Sequence, residues 1–105
     1  MAAEALRSRG YKLLYQRWRK GIYEIDFIAW HQNELVFVEV RTVGKTVEWP
    51  AEASITSRKR RGLQRAIEAF FHEHPSYERL PARIDVVAIR MNDPPEVLIF
   101  PDAFR

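Results

Sequence analysis

Three acids interrupt segments that otherwise read as buried strand. Glu24 and Asp26 fall within Tyr23 to Trp30, and Glu39 falls within Leu35 to Arg41. A buried carboxylate without a partner costs several kcal/mol, so these acids need company. The polar residues His31-Gln32-Asn33-Glu34 between the two segments read as a hairpin turn. With residues 31 and 34 paired, opposed residue numbers sum to 65, which sets Asp26 against Glu39 and Glu24 against Arg41. Opposed side chains in an antiparallel pair have Cβ atoms about 4.5–5.5 Å apart. Two carboxylates that close repel unless a divalent cation lies between them or one takes a proton. Hard oxygen ligands at this spacing suit Mg²⁺ or Mn²⁺, with water and substrate phosphate completing the shell. Arg41, two positions after Glu39, shares its face and could stabilise charge on a phosphate. A surface ladder of Glu24, Arg41 and Asp26 is the plain structural alternative.

Basic residues gather in two stretches. Residues 5–23 hold Arg7, Arg9, Lys12, Arg17, Arg19 and Lys20, and residues 53–67 hold Arg58, Lys59, Arg60, Arg61 and Arg65, with no acid in either. The net charge of +3 is small, but eleven of the 17 basic residues are clustered in this way. Clustering favours a polyanion through counterion release. Ser57 to His74 reads as a helix, because Leu63, Ala66, Ile67, Phe70 and Phe71 form one apolar stripe and Thr56 or Ser57 can cap it. Lys59 lies four residues before Leu63, at the head of that stripe, while Arg58, Arg61 and Arg65 form a separate row. Lys59 should lean toward the sheet and its acids, or else pack its stem and snorkel to water. Glu52, in the loop after the third strand, either approaches the acids or is solvated.

The elements that must position these groups follow in order. Residues 2–9 read as a short helix ended by Gly10. Tyr11 to Trp18, Tyr23 to Trp30 and Leu35 to Arg41 read as strands, and Gly44 to Ser54 as a loop. Arg83 to Ile89 and Glu96 to Phe100 follow the long helix as two more strands. Strict alternation puts Tyr23, Ile25, Phe27 and Ala29 on one face and Glu24, Asp26, Ile28 and Trp30 on the other. Both faces are apolar, so helices should cover the sheet on both sides. The expectation is one α/β domain over residues 1–105, with a mixed central sheet of about five strands.

Composition excludes other classes. The chain has no cysteine, which removes disulfides, thiolate nucleophiles and cysteine-ligated metals. No apolar run exceeds four residues, far short of the ~20 of a membrane helix, and no signal-peptide stretch follows Met1-Ala2-Ala3-Glu4. A cytoplasmic protein without a membrane partner is expected. The four glycines form no phosphate-cradling loop. His31, His72 and His74 lack ligand spacing to the strand acids. Trp49, beside Pro50, is either core edge or a stacking surface for a base.

Gly21-Ile22-Tyr23-Glu24-Ile25-Asp26-Phe27-Ile28-Ala29 and Val36-Phe37-Val38-Glu39-Val40-Arg41 together resemble the signature of the YraN-like family of uncharacterised bacterial proteins. Similarity continues through Tyr11 to Arg19, Arg58-Lys59-Arg60 and Arg83-Ile84-Asp85-Val86-Val87-Ala88. That family is placed in the PD-(D/E)XK superfamily, so the resemblance implies a restriction-endonuclease-like fold related to Holliday-junction resolvases. It implies that Asp26 and Glu39 match the metal-binding acids, and that Arg41 stands where the superfamily usually has its lysine. Arginine stays protonated and cannot take a proton from water; Lys59 could supply the missing lysine. Asp85 also matches a family residue, and a hydrogen-bonding role at a strand end suits it better than catalysis.

The function expected from these residues is metal-dependent phosphodiester hydrolysis on DNA or structured nucleic acid. Asp26 and Glu39 would hold the ion, Arg41 and Lys59 would meet the phosphate, and Arg58, Arg61, Arg65 and Lys20 would grip the backbone. Cutting two strands would call for a homodimer. The alternatives are a non-catalytic nucleic-acid-binding module on the same fold and a protein-interaction domain with a basic face.

Overall fold

The computed structural model describes residues 1–44 and 55–103. Most of the Gly44 to Ser54 loop, with Trp49 and Glu52, thus lies outside the described residues. Helix α1 (Ala2–Ser8) leads into strands β1 (Lys12–Lys20), β2 (Tyr23–His31) and β3 (Glu34–Val43). Helix α2 (Ser57–Glu73) and a 3-10 turn (Pro75–Arg79) precede β4 (Ala82–Arg90) and β5 (Glu96–Phe100). The five strands form one mixed sheet in chain order, antiparallel except where β3 and β4 run parallel. A parallel pair needs a crossover, and α2 supplies it. This is the expected α/β architecture, consistent with a restriction-endonuclease-like fold. Neither helix is long and apolar enough to cross a membrane.

The two hairpins have local causes. Gln32 and Asn33 both have positive φ, 50° and 64°, the pattern of a two-residue turn whose twist matches the flanking strands. Register follows from it: His31, Trp30, Ala29, Ile28 and Phe27 face Glu34, Leu35, Val36, Phe37 and Val38, as the sum of 65 requires. Gly21, at φ 60°, turns β1 into β2 with Lys20 paired to Tyr23. Strand β1 therefore runs two residues beyond the expected end at Trp18.

Both faces of the sheet are covered. On one, Ala2 and Leu6 of α1 join Tyr11, Ala29, Val36, Val38 and Val87; on the other, Leu63, Ala66 and Phe70 of α2 join Trp18, Ile25, Ile28, Leu35 and Phe37. Thr56 caps α2, its hydroxyl accepting the backbone N–H of Lys59 at 3.2 Å. Thr56→Ala should lower unfolding free energy by about 1 kcal/mol, read from the urea midpoint at unchanged slope.

A buried polar cluster ties the first strand to the last part of the chain. Asp85 is fully buried. Its Oδ1 accepts from Arg83 Nε and the Asp102 backbone N–H, both at 2.9 Å, and its Oδ2 accepts from the Tyr11 hydroxyl at 2.6 Å and from Arg83 Nη2 at 3.2 Å. Arg83 also donates to Glu34 Oε1 at 3.1 Å and to His31 Nδ1 at 2.6 Å. Because Nδ1 accepts, the His31 proton sits on Nε2, which donates to the Arg9 carbonyl at 3.2 Å. Burial, with Asp85 beside it, pushes the Tyr11 hydroxyl up to about 12. Burial works against the Arg83 charge, yet the bonds to Asp85, Tyr11 and Glu34 hold its proton more firmly than usual. Four donors converge on the two Asp85 oxygens, so an amide nitrogen in place of either would face N–H or O–H groups. Asp85→Asn should therefore cost about 2–3 kcal/mol in denaturant unfolding. This cluster gives Asp85 the hydrogen-bonding role expected for it, though from within β4 rather than at a strand end.

Candidate active site

The regular β2–β3 ladder stops at Phe27–Val38. Asp26 and Glu39 are next in the same register, but there the two strands exchange a different bond. Asp26 Oδ2 accepts the Val40 backbone N–H at 2.7 Å, so a side-chain carboxylate does the work of a strand carbonyl. Alternation breaks at the same place. Tyr23 and Ile25 pack on the α2 side, with Ile28 and Trp30, whereas Phe27 and Ala29 pack on the α1 side. The expected shared face of Tyr23, Ile25, Phe27 and Ala29 is thus corrected. A half-buried carboxylate bonded across the gap interrupts the pleat.

Glu39 keeps regular alternation with Leu35 and Phe37 and lies on the α2 side. Its side chain is only 16% exposed, and Lys59 Nζ reaches its Oε1 at 3.5 Å while remaining 63% exposed. Lys59 therefore both leans to the sheet and keeps its ammonium wet. Burial raises the Glu39 carboxyl above its ordinary range, the Asp26 charge raises it further, and Lys59 and Arg41 pull the other way. Burial also raises Asp26; the Val40 bond opposes this, Glu24 adds to it, and Lys59 and Arg17 oppose it. Neither carboxyl is at ease ionised, and each would gain from a cation.

Glu39 and Lys59 lie on the wall of an open groove of ≈ 690 Å³, lined also by Arg58, Arg61 and Arg65 of α2, by Ile22 of the β1–β2 turn and by Tyr23 and Glu24 at the start of β2. The helical row of arginines and the lysine thus converge on one of the acids. Glu24 lines the same groove, but not with the partner expected for it. Glu24 does not face Arg41: it pairs with Arg19, whose Nη2 is 3.3 Å from Glu24 Oε2, while Arg41 lies beside Ala88 of β4. The turn register carries Glu24 toward β1 once β2 and β3 part. Arg41 still acts on Glu39 through its charge. Lys20 is tied to Glu73 at 2.6 Å rather than standing over the groove. Glu52 lies outside the described residues.

A divalent ion fits this donor set in kind. Val40 engages one oxygen of Asp26 and Lys59 one oxygen of Glu39, and two carboxylates with water are a sufficient protein contribution for Mg²⁺. Among the described residues no group of three or more His, Asp or Glu side chains gathers to cage a metal. Such a site would depend on substrate oxygens. Sequence reasoning missed the left-handed backbone of Arg17, φ 52° within β1, and the clasp of Tyr11, His31 and Arg83. No residue-type signal marks either.

Comparison with known proteins places the chain. The profile of the uncharacterised protein family UPF0102 matches residues 1–89. A UPF0102 protein of Roseiflexus castenholzii is 46% identical over 89 residues, covering 85% of this chain and 72% of that protein. One from Syntrophotalea carbinolica is 39% identical over 106 residues, covering 99% and 85%, and one from Chloroherpeton thalassium is 37% identical over 115 residues, covering 100% and 88%. The family match spans the β2–β3 acids, the basic helix and the side chains of Tyr11, His31, Arg83 and Asp85 together, and on that extent the chain belongs to the uncharacterised protein family UPF0102, the YraN-like family.

Proposed function

We propose that the chain is a metal-dependent endonuclease-like protein that hydrolyses phosphodiesters in DNA or structured nucleic acid. The observation that carries this reading is Glu39, largely buried and 3.5 Å from Lys59, on the wall of a groove lined by Arg58, Arg61 and Arg65. A carboxylate that burial burdens, beside a row of cations and one register step from Asp26 in the adjoining cleft, suits an ion and a phosphate at one place. Asp26 and Glu39 would hold Mg²⁺ or Mn²⁺, which when bound polarises the phosphate and lowers the pKa of water. The arginine row of α2 grips the backbone and gives binding its salt dependence. Lys59, an ammonium beside Glu39, donates hydrogen bonds to the phosphate, and Arg41 adds fixed positive charge behind Glu39. Two copies would be needed to cut both strands of a duplex.

A second reading, a nucleic-acid-binding module without turnover, is favoured by Arg41, which cannot act as a base. Incubation with linear and branched DNA in Mg²⁺ or Mn²⁺, beside a salt titration of binding, separates the two. Cleavage supports the nuclease; salt-dependent binding without cleavage selects the module. Absence of binding selects a protein-interaction domain.

A further inference from the structure

We propose that Arg17 is a phosphate-contacting residue of the same site, holding the nucleic-acid backbone on the side of the acids away from Lys59. This rests on the nuclease reading and adds to it a second point of contact, on a strand rather than on the helix.

Arg17 is held in an unusual place. Its φ of 52° is left-handed, a conformation rare for a side chain of this kind and found mostly where surrounding structure enforces it. It sits inside β1, between the pairs Gln16–Phe27 and Trp18–Ile25, where its cross-strand position belongs to Asp26. Both strands change face there together. Tyr15 and Trp18 pack on the α2 side though three residues apart, and so do their partners Ile28 and Ile25. The irregular pair coincides with the point at which Asp26 leaves the pleat to bond Val40. A strained residue opposite the key acid is where function tends to hold strain.

The side chain then points to a use. Arg17 is 74% exposed, with Nε only 3.8 Å from Glu24 Oε1, a loose contact that leaves the guanidinium able to bind elsewhere. It shares a cleft of ≈ 360 Å³ with Ala2, Glu24, Asp26, Phe27 and Val40. Lys59 and Glu39 line the other groove. The two acids thus lie between two exposed cations, each of which acts electrostatically on Asp26. A strand of nucleic acid passing the acids would meet Lys59 on one side of them and Arg17 on the other, and the planar fork of Arg17 suits phosphate.

Three variants test this. Arg17→Gly accepts a left-handed backbone and removes the cation. It should keep the wild-type Tm, bind Mn²⁺ at least as tightly, weaken DNA binding about 5–10-fold at low salt, and reduce the salt slope by about one. Arg17→Lys should retain the slope. Arg17→Val, whose branched Cβ opposes positive φ, should lower Tm and Mn²⁺ affinity where Arg17→Gly does not. Wild type that binds DNA while Arg17→Gly binds equally tightly with the same slope overturns the contact and leaves the nuclease reading standing. Wild type that binds no DNA overturns both. Arg17→Val matching Arg17→Gly in Tm overturns the link between the strained backbone and Asp26.

Discussion

Asp26→Asn should abolish Mn²⁺ binding in calorimetry while leaving the fold as stable as wild type or more so. The amide oxygen can still accept the Val40 N–H that Asp26 Oδ2 takes at 2.7 Å, so the link to β3 survives. What disappears is a charge that burial and Glu24 make unwelcome and that in turn burdens Glu39. At an effective dielectric of about 20, a pair of like unit charges about 8 Å apart repels by about 2 kcal/mol. Partial exposure reduces the expected gain to ~1 kcal/mol. The pH dependence has a definite sign. Both acids bind protons more readily folded than unfolded, so their contribution to stability is greatest below the unfolded carboxylate value of about 4. That contribution is lost as pH rises through the higher folded values. The decline should be shallower in Asp26→Asn, and Mn²⁺ at about 100 times its Kd should restore about 2.7 kcal/mol to wild type alone. Marked destabilisation by Asp26→Asn would instead identify a structural ion pair.

Lys59→Met should reduce turnover on bound DNA by about 10²–10⁴-fold, the range for a positioned proton-transfer or charge-stabilising group, with little change in affinity. Its Nζ lies 3.5 Å from Glu39 Oε1, close enough to meet a phosphate at the acids. Arg61 lies on the same groove wall and serves as the contrast. Arg61→Ala should weaken binding and lower the salt slope by about one phosphate contact, with turnover on bound substrate intact. Single-turnover cleavage at saturating protein separates the two. If both variants lose only affinity, Lys59 is one more backbone contact.

The parts of this protein legible in the sequence are those governed by periodicity. The α2 stripe, the turn at Gln32-Asn33 and the register as far as Phe27–Val38 all follow from patterns of period 3.6 or 2. The same arithmetic brought Asp26 and Glu39 to one end of the β2–β3 pair. It failed one step later, because a carboxylate accepting a strand N–H and a left-handed arginine break alternation without any change of residue class. The expected Glu24–Arg41 pair is lost there, and the β1–β2 register sets Glu24 against Arg19 instead. His31 shows the other limit. A histidine in a polar turn carried no signal, yet it stacks on Tyr11 at 3.9 Å and accepts from Arg83, which lies 52 residues away in the chain. Contacts of that kind belong to tertiary packing.

The most direct test of the nuclease reading is cleavage of end-labelled DNA by wild type in Mn²⁺, run beside Asp26→Ala at equal, saturating protein. Fragments from wild type that vanish on chelation and are absent with Asp26→Ala are the expected result. Equal cleavage by the two proteins, or none by wild type on DNA it demonstrably binds, would contradict it.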